Sequence, residues 1–258
     1  MTIFSTIALS GLVAFTAPEK HSFVIVHGAW QAPYAWQTVK AQLEQKGNTV
    51  VLVELPGHGS DHTPPQDLSI DVYSNAVLSA MKGIDGKVVL VGHSLAGVVI
   101  ANVAEKAPEK IDKLIFIGAY IPTNGKSLLD LANTDKQSLL GPALVPSADK
   151  LTLGVPKEKL VNIFSADASP EVQQQVLDNY QPEPAIPFTN PLTITAARFG
   201  SVDKYYIHTA EDHVIGIDLQ NQMAADAGIK HIYTLKSSHT PFLSMPDKVT
   251  GLLIRIAN

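Results

Sequence analysis

At 258 residues, with 45% hydrophobic and 17% charged side chains, the chain can bury one substantial core and sits at the upper end of a single α/β domain. A net charge of -5 with scattered Lys and Arg leaves no basic stripe to neutralise phosphates, which argues against nucleic acid as a partner. No cysteine is present, so disulfides, thiolate metal sites and a cysteine nucleophile are excluded.

Residues 1–17 hold an apolar run from Ile7 to Phe15 that ends near Thr16 and Ala17, with no basic residue before Lys20. The run is too short to span a bilayer, so no stable membrane insertion is expected. It reads either as the remnant of a signal peptide, giving a secreted or periplasmic protein, or as an N-terminal extension packed on a cytoplasmic one. From residue 18 to 258 the pattern is regular. Strands are expected at 22–26, 49–54, 87–91, 113–117, 204–209 and 230–235, and helices at 34–46, 70–81, 95–107, 219–227 and 246–256. The strands are mostly continuous apolar runs separated by helical periods, the pattern of an α/β fold with a mostly parallel, doubly wound sheet. Over about 122–191 the alternation breaks down into prolines, turn residues and short helical patterns at 127–132 and 170–180. Because it keeps Leu160, Phe164, Leu177 and Phe188, this stretch is expected to be a lid or cap inserted between two core strands of one domain.

Chemistry concentrates where strands end. Val88-Val89-Leu90-Val91 runs into Gly92-His93-Ser94-Leu95-Ala96-Gly97 and then into a small-residue helix start. Strand, tight turn and helix are the context of a nucleophile elbow, in which flanking glycines leave room for a strained central Ser94. Serine is a poor nucleophile unless a base takes its proton, and that base needs a carboxylate to orient it. Among nine histidines, His239 is the expected base, since it lies on a loop after the last strand and before the last helix. His27 and His58 precede the serine, His93 lies inside the elbow, His231 begins a strand, and His208 and His213 flank the acid loop. The expected acid is Asp212, beyond the end of strand 204–209, ahead of Glu211 and then Asp218. The stretch after 113–117, Ile121-Pro122-Thr123, offers no carboxylate.

Acyl transfer also needs two N–H groups aimed at the developing oxyanion. Leu95 follows the nucleophile, and Ala29 follows the first core strand in Val26-His27-Gly28-Ala29-Trp30, where Gly28 lets the backbone approach substrate. The loop Leu55-Pro56-Gly57-His58-Gly59-Ser60-Asp61-His62 is read as bordering the site, without the further ligands a metal would need.

These motifs, with Arg198-Phe199-Gly200-Ser201-Val202, Glu211-Asp212 and Ser238-His239, resemble the compact α/β hydrolases that include plant methylesterases, hydroxynitrile lyases and bacterial carboxylesterases such as pyrethroid hydrolases. The resemblance covers the chain after Pro18, and Ser238 to Pro246 looks nearest to the bacterial esterases. It implies the α/β-hydrolase fold with a helical lid, Ser94, Asp212 and His239 as the triad, Ala29 and Leu95 as the oxyanion hole, and neither cofactor nor metal. The expected partner is a small or medium apolar carboxylic ester, met by a monomer or homodimer. Gly28, Trp30, His93, Tyr120, Phe164 and Phe188 are the candidate substrate-binding residues. The alternatives are a hydroxynitrile lyase and a non-catalytic small-molecule receptor on the same fold. The rubber-tree-like lyases carry threonine at the position of Gly28 and lysine at that of Thr240, which argues against cyanohydrin cleavage.

Overall fold

A computed structural model describes residues 20–258; the expectations for residues 1–17 lie outside them. The chain lays down β1 (Ser22–Val26), β2 (Thr49–Val53), β3 (Val88–His93) and β4 (Ile111–Ile117). A long insertion then carries β5 (Val145–Pro146), β6 (Thr152–Gly154) and β7 (Glu183–Pro184), before β8 (Asp203–Thr209) and β9 (His231–Leu235) complete the core. Helices α1 (Gln37–Gln45), α2 (Ile70–Met81) and α3 (Ala96–Lys106) connect the early strands. Within the insertion are α4 (Leu128–Ala132), α5 (Lys157–Phe164), α6 (Pro170–Asp178) and α7 (Ile186–Thr189). The chain ends with α8 (Ile217–Asp226), α9 (Pro241–Ser244) and α10 (Pro246–Ala257).

The core strands form one parallel sheet in the order β2-β1-β3-β4-β8-β9. Its apolar runs are explained by helices on both faces. Successive side chains point to opposite faces of a strand. Phe23, Ile25, Val89, Val91, Ile115, Ile117 and Ile207 therefore join Trp36, Val39 and Leu43 near α1 and Val249 and Leu253 of α10. Val24, Val26, Val88, Leu90, Leu114, Phe116 and Tyr206 turn the other way, toward Tyr73 and Val77 of α2 and Val99 and Val103 of α3. α3 is buried from Ala96 to Ala104, which explains its small and β-branched composition.

The chain moves from β1 outward to β2, then returns past β1 to β3, so the β1–β3 boundary is where strand order reverses. Loops leaving neighbouring strands there diverge and leave a crevice at their carboxyl ends. The loop after β1 carries Ala29 and the turn after β3 carries Ser94, so both flank that crevice.

Two local features differ from the sequence expectation. The first turn expected of the helix at 34–46 is a separate 3-10 turn, Pro33–Trp36, and the α-helix starts at Gln37. In the insertion, β5, β6 and β7 form a small antiparallel sheet. Strands of two or three residues carry no readable period. Among the described residues no helix is long and apolar enough to cross a membrane.

Candidate active site

Ser94 sits between β3 and α3 at φ +55°, a left-handed conformation that costs a non-glycine residue about 1–3 kcal/mol and persists only when its surroundings enforce it. Its carbonyl accepts the N–H groups of Gly97 (3.0 Å) and Tyr120 (3.1 Å). The approach of Tyr120 requires glycine at 97, where a Cβ would lie 2.1 Å from the Tyr120 carbonyl oxygen. α3 starts directly behind the serine, so its positive N-terminal end is directed toward the turn.

Asp212 follows β8 and His239 follows β9, strands that are sheet neighbours, which brings the two loops together. His239 donates Nδ1–H to Asp212 Oδ2 at 2.8 Å. The same oxygen accepts the Thr209 hydroxyl at 2.6 Å, while Oδ1 accepts the N–H groups of Val214 (2.7 Å) and Ile215 (3.0 Å). Four donors converge on this carboxylate, which fixes its plane and forces the proton of a neutral His239 onto Nδ1, leaving Nε2 as an acceptor. Behind it, Gln220 Nε2 donates to the carbonyls of Thr209 (3.0 Å) and Ile215 (2.7 Å) and to the Thr209 hydroxyl (3.1 Å).

His93 links the serine turn to the His239 loop. Its Nε2–H donates to the His239 carbonyl at 2.8 Å, and the two rings lie 4.4 Å apart. Burial, then the neighbouring His239, push its pKa well below the usual histidine range, so it stays neutral with a proton on Nε2. The insertion grips the same loop. Thr240 Oγ1 donates to the Phe164 carbonyl (3.0 Å) and bonds Ser165 Oγ (2.8 Å), while Ser238 and Ser244 both donate to Asp167.

A cavity of about 190 Å³ opens at Ser94. Ala29 and Leu95 border it beside the serine, and neither of their N–H groups has a protein acceptor among the described residues. Trp30, Tyr120 and Phe188 form walls, as the sequence suggests, and aliphatic residues of the insertion complete the lining, including Leu128, Leu140 and Leu144. Asn133 and Ser138 add the few polar groups there.

Gly28, His93 and Phe164 do not line this cavity, contrary to expectation. Gly28 lies behind it against the serine turn: a Cβ there would lie 2.6 Å from His93 Nδ1 and 2.9 Å from Ser94 Cβ. His93 is fully buried, with its Nε2–H bonded to the His239 carbonyl. Phe164 packs behind Trp30 and near His239, with ring centroids 5.6 Å and 6.1 Å away.

Sequence reasoning also missed a second polar cluster. Glu183 of β7 is fully buried, and its Oε2 accepts the backbone N–H of Trp30 (2.7 Å) and Nε2–H of His58 (2.9 Å). His27, at the end of β1, donates Nδ1–H to the Gly28 carbonyl and accepts the Leu55 N–H on Nε2. Burial first, and the charge of His58 second, push its pKa down to about 3.

Comparison with known proteins gives the same picture of the fold. A family model described as the alpha/beta hydrolase family matches residues 23–252. Putative methylesterase 11, chloroplastic, of Arabidopsis thaliana is 31% identical over 255 residues; the match takes in 93% of this chain but only 64% of the relative's own length. A polyneuridine aldehyde esterase variant superimposes with a TM-score of 0.83 at 22% identity, covering 93% of this chain and all of its own (100%). A pyrethroid hydrolase from Sphingobium faniae gives 0.83 at 23% identity, covering 93% of this chain and 98% of its own.

Proposed function

The chain belongs to the alpha/beta hydrolase family, and from that premise we propose that it is a serine carboxylesterase acting on small to medium apolar esters. One observation carries the reading: Ser94 opens into an apolar cavity flanked by two N–H groups, of Ala29 and Leu95, that have no other acceptor among the described residues. Preorganised donors of this kind stabilise the oxyanion of acyl transfer, each at about 3–4 kcal/mol.

In the proposed cycle His239 Nε2 takes the Ser94 Oγ proton as the oxygen attacks the ester carbonyl. The Ala29 and Leu95 amides hold the oxyanion, and Asp212, through Nδ1–H, stabilises the imidazolium. Collapse breaks the ester C–O bond, and the alcohol leaves with the proton from His239. Water then gives a proton to the same nitrogen and attacks the acyl carbon, releasing the acid and restoring Ser94. The insertion acts as the lid that shapes the pocket, and its aliphatic lining favours an apolar substrate.

The methylesterase relative and the esterase and pyrethroid hydrolase folds support an ester substrate over other acyl compounds. The space at Gly28 weighs against the lyase alternative, since a threonine there would drive its Cβ into His93 and the serine turn. Treatment of the folded chain with a fluorophosphonate, followed by peptide mass spectrometry, is expected to place one adduct on Ser94 and to abolish hydrolysis of p-nitrophenyl butyrate. A folded protein that hydrolyses esters without labelling at Ser94 would overturn the mechanism.

A further inference from the structure

We propose that Glu183, a carboxylate carried by the insertion, is a positioning residue for the oxyanion loop, holding the backbone of Trp30 in place with His58 as its counter-ion; this rests on the esterase reading. The residue next to Ala29 is in an unusual state. Trp30 has φ +58°, a left-handed conformation in which a large side chain is strained. Nothing local relieves it. Among the described residues, every polar bond that fixes it comes from more than 100 residues away: its backbone N–H reaches Glu183 Oε2 at 2.7 Å, and its indole N–H reaches the Leu153 carbonyl at 3.0 Å. The indole is also packed against Phe164 and Phe188, with centroids 5.6 Å and 5.8 Å away.

Burying a glutamate fully is costly unless its charge is paired and bonded. A neutral acceptor would have satisfied the Trp30 N–H, so the charge calls for a partner of its own. That partner is His58. Its Nε2 faces Glu183 at 2.9 Å and its Nδ1 faces the Pro56 carbonyl at 3.1 Å, both acceptors, so both ring nitrogens carry protons and the ring is an imidazolium. Burial, the largest single effect, lowers the His58 pKa, but the attraction of Glu183 and the bonds to it and to the Pro56 carbonyl together outweigh it and raise the pKa. The other titratable groups facing the pair are His27, at the end of β1, with its ring 5.0 Å from His58, and Tyr73, on α2, with its ring 5.6 Å away. His27 is uncharged, and on the loop of His58 itself Asp61 is turned to the Gly57 and Thr63 amides and Glu54 to Ser60.

Glu183 Oε2 thus joins three elements at one atom: the insertion through β7, the loop after β2 through His58, and the loop after β1 through Trp30. The Trp30 N–H belongs to the peptide group that follows Ala29, so a shift of that bond tilts the preceding residue and the direction of its own N–H. An error of about 1 Å in such a donor costs up to a hundredfold in rate. The Trp30 indole, itself a wall of the cavity, is held separately by the Leu153 carbonyl and by Phe164 and Phe188, so substrate binding is affected far less.

The test uses the full chain with Glu183→Gln, which keeps an acceptor for Trp30 but removes the charge, and Glu183→Ala, which removes both. kcat and KM for p-nitrophenyl butyrate are measured beside the Trp30 amide proton in 15N-resolved spectra recorded from pH 6 to 10. In the unsubstituted protein the Trp30 amide should titrate with His58, and kcat should fall as His58 loses its proton. Glu183→Gln should move that amide, flatten both titrations and lower kcat about tenfold with KM within about twofold; Glu183→Ala should lower kcat about a hundredfold. If Glu183→Ala does not fold, Glu183→Gln carries the test. An unmoved Trp30 amide, or equal losses through KM, would overturn the proposal. If no ester is hydrolysed while the Trp30 amide still responds to Glu183 and to pH, the esterase reading fails and the clamp stands.

Discussion

Thr209→Val is a nearly size-matched change at a fully buried position, and it removes one hydroxyl from the support of the Asp212–His239 pair. Its O–H donates to Asp212 Oδ2 at 2.6 Å, and its oxygen accepts Gln220 Nε2 at 3.1 Å. Gln220 keeps its bonds to the carbonyls of Thr209 and Ile215, so the second loss is small. The first is larger, because a buried bond to a charged group is worth about 1.5–3 kcal/mol. For a chain of 258 residues about 2 kcal/mol corresponds to a fall in Tm of about 4 °C. Oδ2 would retain only His239, so the carboxylate plane loosens and the imidazole with it. The expected result is a drop of about tenfold in kcat for p-nitrophenyl butyrate, with KM unchanged. Calorimetry and steady-state kinetics on the same preparation check both. A Tm within about 1 °C of the parent together with an unchanged kcat would refute the claim that Thr209 braces Asp212.

Gly28→Thr should abolish ester hydrolysis, because its Cβ would lie 2.9 Å from Ser94 Cβ; the unsubstituted chain should release no cyanide from mandelonitrile, and cyanide release without ester hydrolysis would reverse the ranking of esterase and lyase. Phe188→Ala should enlarge the cavity, moving the preferred p-nitrophenyl ester to a longer acyl chain at a cost of about 3 kcal/mol, read from a chain-length series and a urea titration. His27 is held neutral with its pKa lowered to about 3, below the ordinary value of 6.5. Its contribution is therefore present above pH 6.5 and lost as pH falls from there toward 3, at up to about 1.4 kcal/mol per pH unit. Stability measured between pH 7 and 5 should fall less steeply in His27→Asn than in the parent.

The central strands β1, β3 and β4 were legible because burial on both faces leaves continuous apolar runs, the more exposed edge strands β2 and β9 by their β-branched and aromatic residues, and each core strand begins within two residues of its expected start. The elbow was legible because Gly92 and Gly97 answer to close backbone approaches that few other residues allow. Asp212 and His239 could be selected by their places after successive strands, and their loops meet at 2.8 Å. Glu183 was not legible. A lone acid among prolines reads as solvated surface, and its value depends on Trp30, 153 residues earlier, and on His58. His93 is expected among the substrate-binding residues, but a ring direction is set by what it bonds, here the His239 carbonyl. The lining from α4 to Leu144 was missed because a five-residue helix gives too short a period to show which side it buries.

The insertion between β4 and β8 touches the loops of the β1 and β9 ends through separate bonds, Glu183 and Leu153 on one side and Phe164, Ser165 and Asp167 on the other. A roof fastened in this way is a poor unit of exchange. Transplanting the corresponding segment of a homologue onto this core would bring a new pocket but break the fastenings, unless the donor supplied matching groups or the recipient loops travelled with it. On the esterase reading, substrate range would therefore drift by single changes in the aliphatic lining far more freely than by recombination of whole segments.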